Sequence, residues 1–256
     1  MYIVTSSSDD YAKHLGVMLT SLLENQKETN GIKIFIIDGN ISQVNKSKLE
    51  KVLGRFNLQT NFIKVDNAIS DFFEKYKTNF SKETYYTIII PELLSRDISK
   101  ALYLDCDLIV KEDLSNLWNS NIYDFFLAAV EDLGLKQKWK NRLIPEGSSY
   151  FNAGLMLINL QKWRENNIST QVMQYIKDNY ANIKFADQDA VNVVLHDKWL
   201  KLAPKWNYTT GMLKRHPIDN PAIIHFTGRK KPWNSEHPFK HEYLNYLNSS
   251  LWEQEN

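Results

Sequence analysis

Apolar and polar positions along the chain fall into blocks that switch between a strand period and a helix period. Tyr2 to Ser6 reads as a short strand running into the polar cluster Thr5-Ser6-Ser7-Ser8-Asp9-Asp10. From about Tyr11 to Asn25, residues Leu15, Met18, Leu19, Leu22 and Leu23 recur at helical spacing, with cap candidates in Ser8 to Asp10. Gly31 to Asp38 is apolar almost throughout, as a strand covered on both faces would be; a helix over Ser42 to Leu53 and a strand over Asn61 to Val65 follow. This βαβ alternation predicts a mainly parallel sheet with helices on both sides.

The later blocks are less regular. Thr84 to Leu94 reads as a helix with Pro91 in its last turn, and Leu102 to Val110 as one strand interrupted by two acids. Glu112 to Trp118 reads as a turn into a short helix, and Phe126 to Val130 as a strand. Glu131 to Ser149 has no period, and a segment of that length inside a compact domain is more often functional than idle. Leu155 to Asn159 predicts a strand, Leu160 to about Tyr180 one helix, and Ala190 to Leu195 a helix that Asp187 would cap. Ala222 to Ile224 predicts a last strand and Tyr243 to Leu247 a short docking helix. No repeat, low-complexity stretch or linker divides the chain, so one domain over residues 1–256 is expected, with an irregular C-terminal portion.

Composition narrows the function classes. Thirty-one basic against thirty acidic residues give a net charge of +1, and no basic run stands out, so nothing recommends nucleic acid as a partner. The single cysteine, Cys106, excludes an internal disulfide framework and a multi-cysteine zinc site, and predicts a buried thiol in a reducing compartment. Tyr2-Ile3-Val4 directly after Met1 lacks the charged and long apolar regions of a signal peptide, and no stretch approaches a membrane span. A cytoplasmic protein is the expectation. No Gly-x-Gly-x-x-Gly or phosphate-loop pattern supports a standard dinucleotide or P-loop site.

Candidate chemistry centres on Asp105-Cys106-Asp107, two carboxylates inside an apolar strand-forming run. A charge in such surroundings is costly unless paired or metal-bound, and acids two apart at a strand end can face one side and chelate one hard cation. Asp-x-Asp is also common in solvated turns, and the triplet alone leaves both readings open. The strand, polar turn and helix start over Thr5 to Tyr11 suit an anion or polar ring as well as a plain βα connection. Asn152 is polar at the mouth of an apolar strand, and Gly154 allows close backbone approach. Asp187 reads most simply as a cap, and His225 at the end of an apolar strand as a hydrogen-bonded core histidine or a ligand. Gly228 with the cations after it suits a phosphate or a solvated loop.

Taken together and in order, Tyr103-Leu104-Asp105-Cys106-Asp107, Phe151-Asn152-Ala153-Gly154, Asp187-Gln188-Asp189 and His225 through Trp233 make the chain resemble glycosyltransferase family 8. These are the retaining sugar-nucleotide transferases that include bacterial lipopolysaccharide galactosyltransferases and the glycogenin group. The resemblance runs from Tyr2 to about Trp233. It implies the GT-A fold, a Rossmann-like α/β domain with an irregular acceptor side. Residues of about 1–110 would carry the nucleotide and 111–256 the donor sugar and acceptor. Asp105, Asp107 and His225 would hold Mn²⁺, or Mg²⁺, at the diphosphate of a UDP-sugar, with Lys231 as a second positive charge on the leaving group. Thr5, Ser6, Ser8, Asp9, Tyr11, Cys106, Ala153 and Gly228 would line the nucleotide, Tyr11 stacking on the base. Asn152, Asp132, Asp187 and Gln188 would surround the donor sugar, with Gln188 at the position proposed in the family as nucleophile.

The chain also departs from the family. Ser8, beside Asp9, stands where many relatives place an acid in the uracil pocket, and Thr87 aligns near an arginine of relatives. Glu131 and Asp132 compete for one aligned position, and Asp132, which precedes Leu133, fits it better. The acceptor would be a glycan, glycolipid or glycoprotein hydroxyl, walled by Glu131 to Ser149 and Trp206 to His216. Lys136, Lys138, Lys140, Arg142, Lys214 and Arg215 make that region basic, which suits an anionic or lipid-linked acceptor at the inner face of a membrane as well as solvated loops. A non-catalytic UDP-sugar-binding scaffold with the same fold is the alternative. A nucleotidyltransferase would need a Gly-rich, basic N-terminal loop that Thr5 to Asp10 lacks.

Overall fold

The computed structural model describes residues 1–252. The N-terminal alternation folds as its periodicity predicts, into β1 (Tyr2–Ser8), α1 (Ala12–Glu24), β2 (Lys33–Gly39), α2 (Gln43–Gly54) and β3 (Thr60–Lys64). An unforeseen helix, α3 (Asn67–Tyr76), comes next. Its signal was in the sequence: Asp66 caps it by accepting from the Ala68 N–H at 2.8 Å, and Ile69, Phe72, Phe73 and Tyr76 share one face.

The helix expected over Thr84 to Leu94 is instead a 3₁₀ segment, Lys82–Ile89, followed by α4 (Ile90–Leu93). Pro91 sits in the first turn of α4, where its missing N–H costs nothing, so it starts a helix rather than ending one. The single strand expected over Leu102 to Val110 is two strands in different sheets. β4 (Lys100–Leu104) and β5 (Leu108–Val110) are separated by a bend at Asp105 to Asp107. After α5 (Ser115–Trp118) and β6 (Leu127–Glu131), the segment expected to be irregular contains the short α6 (Gln137–Lys140). β7 (Phe151–Asn159) begins earlier than expected, so Asn152 and Gly154 lie within it. The one helix expected after it is split into α7 (Leu160–Glu165) and α8 (Ile168–Asn179) at Asn167, whose φ of 51° is left-handed. α9 (Ala186–Val194) starts early enough that Asp187 falls in its first turn instead of capping it.

The remaining strands are β8 (Trp199–Leu202), β9 (Tyr208–Thr209) and β10 (Ile223–His225), and α10 (Lys240–Ser249) follows. Seven strands form the main sheet in the order β3-β2-β1-β4-β7-β6-β8; β7 is antiparallel to both its neighbours and the other pairs are parallel. Side-chain alternation along β4 sends Ala101 and Tyr103 into the core under the 3₁₀ segment, α8 and α9, and Leu102 and Leu104 into the core under α1 and α2. A three-stranded sheet, β5-β10-β9, stands beside the main one, with His225 opposite Leu108 in antiparallel register. No helix among the described residues is long and apolar enough to cross a membrane.

α1 anchors the small sheet. The buried Ser21 hydroxyl donates to the Met18 carbonyl at 2.7 Å and accepts the Val110 N–H at 3.0 Å. Replacing Ser21 by Ala leaves that strand N–H without a partner. Urea unfolding of Ser21→Ala is expected to show a loss of about 1–3 kcal/mol, the cost of an unsatisfied buried donor. A stability equal to wild type would contradict this anchoring.

Candidate active site

The bend between the two sheets carries the acids. The Asp105 N–H still donates to the Gly154 carbonyl at 2.9 Å, extending the β4–β7 ladder by one residue, and the Phe226 N–H donates to the Asp107 carbonyl at 3.1 Å. The first bond ties the start of the bend to β7 and the second ties its end to the residue after β10. His225 Nε2 therefore lies 3.5 Å from Asp105 Oδ2 and 3.2 Å from Asp107 Oδ1. Ligand atoms of the three residues all fall within 4.8 Å of one another.

Gly154 makes this approach feasible. A Cβ there would fall 2.2 Å from His225 Cε1 and 2.5 Å from Asp105 Oδ2, far inside contact distance. His225 is oriented from behind, with Nδ1 2.9 Å from Asn207 Oδ1. Asn207 Nδ2 donates to Asn152 Oδ1 at 2.8 Å, which assigns its oxygen as the acceptor and puts the proton on Nδ1. Lys231 returns to the bend through Gly228, whose φ of 80° is left-handed, and its Nζ meets Asp107 Oδ2 at 2.5 Å.

The electrostatics are those of a site that collects positive charge. Burial opposes an ionised Asp107, yet Lys231 and His225 hold its carboxyl well below the usual carboxylate range. Burial likewise opposes a charged His225, but Asp107 and Asp105 win and push it up to about 9. Two carboxylates and one imidazole fit a hard or borderline divalent ion such as Mn²⁺ or Mg²⁺. Cys106 between them is half-buried rather than buried, and desolvation together with both acids pushes its thiol well up.

A hydrogen-bonded chain runs from this corner to a second one. Asn152 Nδ2 donates to Gln188 Oε1 at 2.9 Å, and the Ala153 N–H donates to the same oxygen at 3.1 Å. Gln188 Nε2 is thereby turned toward Asp132 Oδ2 and Tyr150 OH, each at 3.3 Å. Tyr150 OH donates to Asp189 Oδ1 at 2.5 Å, and Asp189 Oδ2 accepts the Lys184 and Phe185 N–H groups at 2.7 and 2.9 Å. That fixes the entry to α9, where Ala186 adopts a φ of 50°. Asp187 follows, with Oδ2 accepting from the Thr87 hydroxyl at 2.6 Å. Burial pushes the Asp187 carboxyl up to about 8.

A cleft of ≈ 660 Å³ joins the two corners, and Tyr11, Asp105, Asp107, Asp132, Asn152, Ala153, Asp187, Gln188, His225, Gly228 and Lys231 all line it. Tyr11 stands at its mouth, edge-on to Trp233 and His14. Other anticipated residues lie behind the wall. Thr5 is fully buried, Ser6 donates to the Glu83 carbonyl, and Asp9 Oδ1 accepts from the Ser42 N–H and Asn45 Nδ2 at 2.7 Å each. Asp9 thus ties the turn after β1 to the start of α2. Ser8 is half-buried at the end of β1 and is not part of the cleft lining. Glu131 pairs with Lys201 at 3.0 Å and with Lys140 at 3.6 Å, while Asp132 faces the cleft. Lys140 is therefore buried in an ion pair, and Arg142 lies over the Trp139 ring; Lys214 and Arg215 are exposed. Sequence reasoning missed Asn207, Tyr150 and the partnership of Thr87 with Asp187. Asn207 left one signal, a polar residue between Trp206 and Tyr208.

A second cavity, of ≈ 550 Å³, lies at the opposite edge of the sheet between Tyr2, Lys33, Asn57 and Ile98. It holds no cluster of metal-ligating side chains among the described residues.

Comparison with known proteins extends these observations. The family model described as Glycosyl transferase family 8 matches residues 2–237. General stress protein A of Bacillus subtilis is 35% identical over 98% of this chain and 94% of its own length. A lipopolysaccharide 1,3-galactosyltransferase of Salmonella typhimurium is 30% identical over 68% of this chain and 56% of its own. Among solved structures, the galactosyltransferase LgtC in complex with donor and acceptor sugar analogs superposes with a TM-score of 0.88 at 26% identity, covering 98% of this chain and 96% of that one.

Two outcomes are expected. Gly154→Ala should unfold as cooperatively as wild type yet bind Mn²⁺ about tenfold or more weakly in calorimetric titration, because the new methyl displaces His225 and Asp105. Unchanged affinity would contradict the close approach. The second concerns Asp187, whose carboxyl at about 8 in the fold compares with 3.8 when solvated. Between those values the folded chain keeps a proton that the unfolded chain has released, so this group's contribution to stability falls as pH rises from about 4 toward 8. Asp187→Asn removes that slope, and its melting temperature relative to wild type should climb from about pH 5 to about pH 8. A pH-independent difference would contradict it.

Proposed function

The chain belongs to glycosyltransferase family 8 and has the GT-A fold, and from that membership we propose that it transfers a hexose from a UDP-sugar to a hydroxyl of a glycan, glycolipid or glycoprotein, with retention of configuration. Glucose or galactose is the transferred sugar. The similarity to a lipopolysaccharide galactosyltransferase and to LgtC favours galactose. The observation that carries the reading is the convergence of Asp105, Asp107 and His225 with Asn152, Asp132 and Gln188 on one cleft.

Asp105, Asp107 and His225 are the residues that would hold Mn²⁺ or Mg²⁺. When bound, such an ion offsets the negative charge that develops on the departing diphosphate. Lys231, already at the Asp107 carboxylate, supplies a second positive group within the same corner. Tyr11 at the mouth offers a ring face or edge to the base. Asp132, Asn152, Asp187 and Gln188 offer donors and acceptors to the sugar hydroxyls, and a hydroxyl-reading site rejects the wrong epimer by leaving a buried polar group unpaired.

Gln188 bears on how configuration is retained. Its amide oxygen accepts two hydrogen bonds, from Asn152 and from the Ala153 N–H, so both lone pairs are engaged. A neutral amide so engaged is a poor nucleophile. This favours departure and attack on the same face of the sugar, with the departing phosphate taking the acceptor's proton and the Gln188 dipole beside the developing positive charge.

Incubation with Mn²⁺ and a panel of UDP-sugars, with UDP release measured with and without candidate acceptor glycans, tests the reading. One hexose donor should release UDP, and EDTA should abolish the release. Replacing Asp105 and Asp107 together by Ala should lower the rate by about a thousandfold, on the scale of losing a principal electrostatic contact. No turnover of any donor, or a rate indifferent to the double substitution, would overturn it.

A further inference from the structure

The acids in the cleft and behind it differ in what partners their carboxylates. Asp107 meets Lys231 and His225; Asp189 meets two backbone N–H groups, the Tyr150 hydroxyl and, at 3.3 Å, Trp139 Nε1. Asp187 is different. It is 4% exposed on the first turn of α9, and among the described residues no Lys or Arg lies within ion-pair distance of it. The backbone N–H groups of Gln188 and of Asp187 itself also reach its carboxyl, and its one side-chain partner among the described residues is the hydroxyl of Thr87, itself 2% exposed, in the 3₁₀ segment packed against α9.

We propose that Thr87 is a positioning residue for the donor sugar: by holding Oδ2 of Asp187 it aims the rest of that carboxyl into the cleft, where it reads a hydroxyl of the transferred hexose and takes part in choosing the epimer. This rests on the donor reading given above. A threonine suits the task because it has one proton to give and brings no charge. Its β-branched side chain is stiff at χ1, so a buried Thr87 presents that proton from one direction. An arginine or lysine in its place would offer Asp187 several donors and ionise it. With Thr87 as its side-chain partner, burial keeps the Asp187 carboxyl protonated up to about pH 8. The group facing the cleft then both gives and accepts a hydrogen bond, which discriminates a hydroxyl by its direction more sharply than a bare charge does.

The test uses the full chain with Mn²⁺, UDP-galactose and UDP-glucose, and reads KM and kcat for UDP release separately. Thr87→Val, which keeps size and branching but has no hydroxyl, should raise the KM of the preferred donor by about tenfold with kcat within about threefold. It should also narrow the kcat/KM ratio between the two epimeric donors. Thr87→Ser restores the hydroxyl and should restore both values to within about twofold of wild type. A purely structural role would instead lower the active fraction, so kcat would fall at constant KM, and Ser and Val would not be told apart by donor preference. Either that pattern or wild-type kinetics in Thr87→Val overturns the inference while leaving the donor reading standing. A wild-type chain that turns over neither these nor any other UDP-sugar overturns both. If circular dichroism shows Thr87→Val unfolded, Thr87→Ala is read by the same criteria.

Discussion

Two carboxylates held side by side in a partly buried pocket repel each other, and the folded chain keeps Asp105 and Asp107 together only because cationic groups are brought to the same place. Neither acid's strand supplies them. β10, in the small sheet, delivers His225, and the loop after it delivers Lys231. The break between β4 and β5 is what lets this happen, since a continuous strand would carry Asp107 away with the main sheet. Gly154 then provides the space in which an imidazole and a carboxylate can meet over the backbone of β7. In the proposed function a divalent ion would replace the imidazolium proton as the charge that balances the two buried acids.

Asn152 couples this corner to the one around Gln188. It accepts from Asn207 and from the Gly154 N–H, and it donates to Gln188. The same residue therefore orients, through Asn207, the imidazole of His225 and, directly, the amide of Gln188. In the proposed function the first corner would take the diphosphate and the second the anomeric carbon, and one hydrogen-bonded chain joining them would hold the constant separation that a transfer reaction requires of its two ends. Asp189 and Tyr150 extend the chain behind α9, so the first turn that carries Asp187 and Gln188 is fixed from both sides.

Much of the fold was legible because long elements carry a period. The apolar faces of α1 and α2 and the apolar run of β2 announce themselves, and the acids inside Leu102 to Val110 announce a site. What was hidden has physical reasons. The last strand was expected one residue early and is β10, but β5 and β9 are only three and two residues long, too short for alternation to show, so nothing announced that these strands form a second sheet. A 3₁₀ segment shares its apolar spacing with an α-helix over one or two turns, so the part of Lys82–Ile89 from Thr84 on reads in the sequence as α. The break at Asn167 depends on a single left-handed residue within a sequence that is helical on either side. In the site, the acids, His225, Asn152, Gln188 and Lys231 were visible as unusual residues in apolar settings or as motif positions. Asn207 was not, and Thr87 was visible only as a departure from relatives; that these two orient other side chains is revealed only by the distances of 2.9 Å to His225 and 2.6 Å to Asp187.

The account stands or falls on Asp105, Asp107 and His225 acting as one cation site. A crystal soaked in Mn²⁺ and UDP, with diffraction recorded at the manganese absorption edge, addresses it directly. An anomalous peak at coordination distance, about 2.0–2.3 Å, from a carboxylate oxygen of each acid and from His225 Nε2 is the predicted result. A peak elsewhere, or none in this cleft at saturating Mn²⁺, would contradict it.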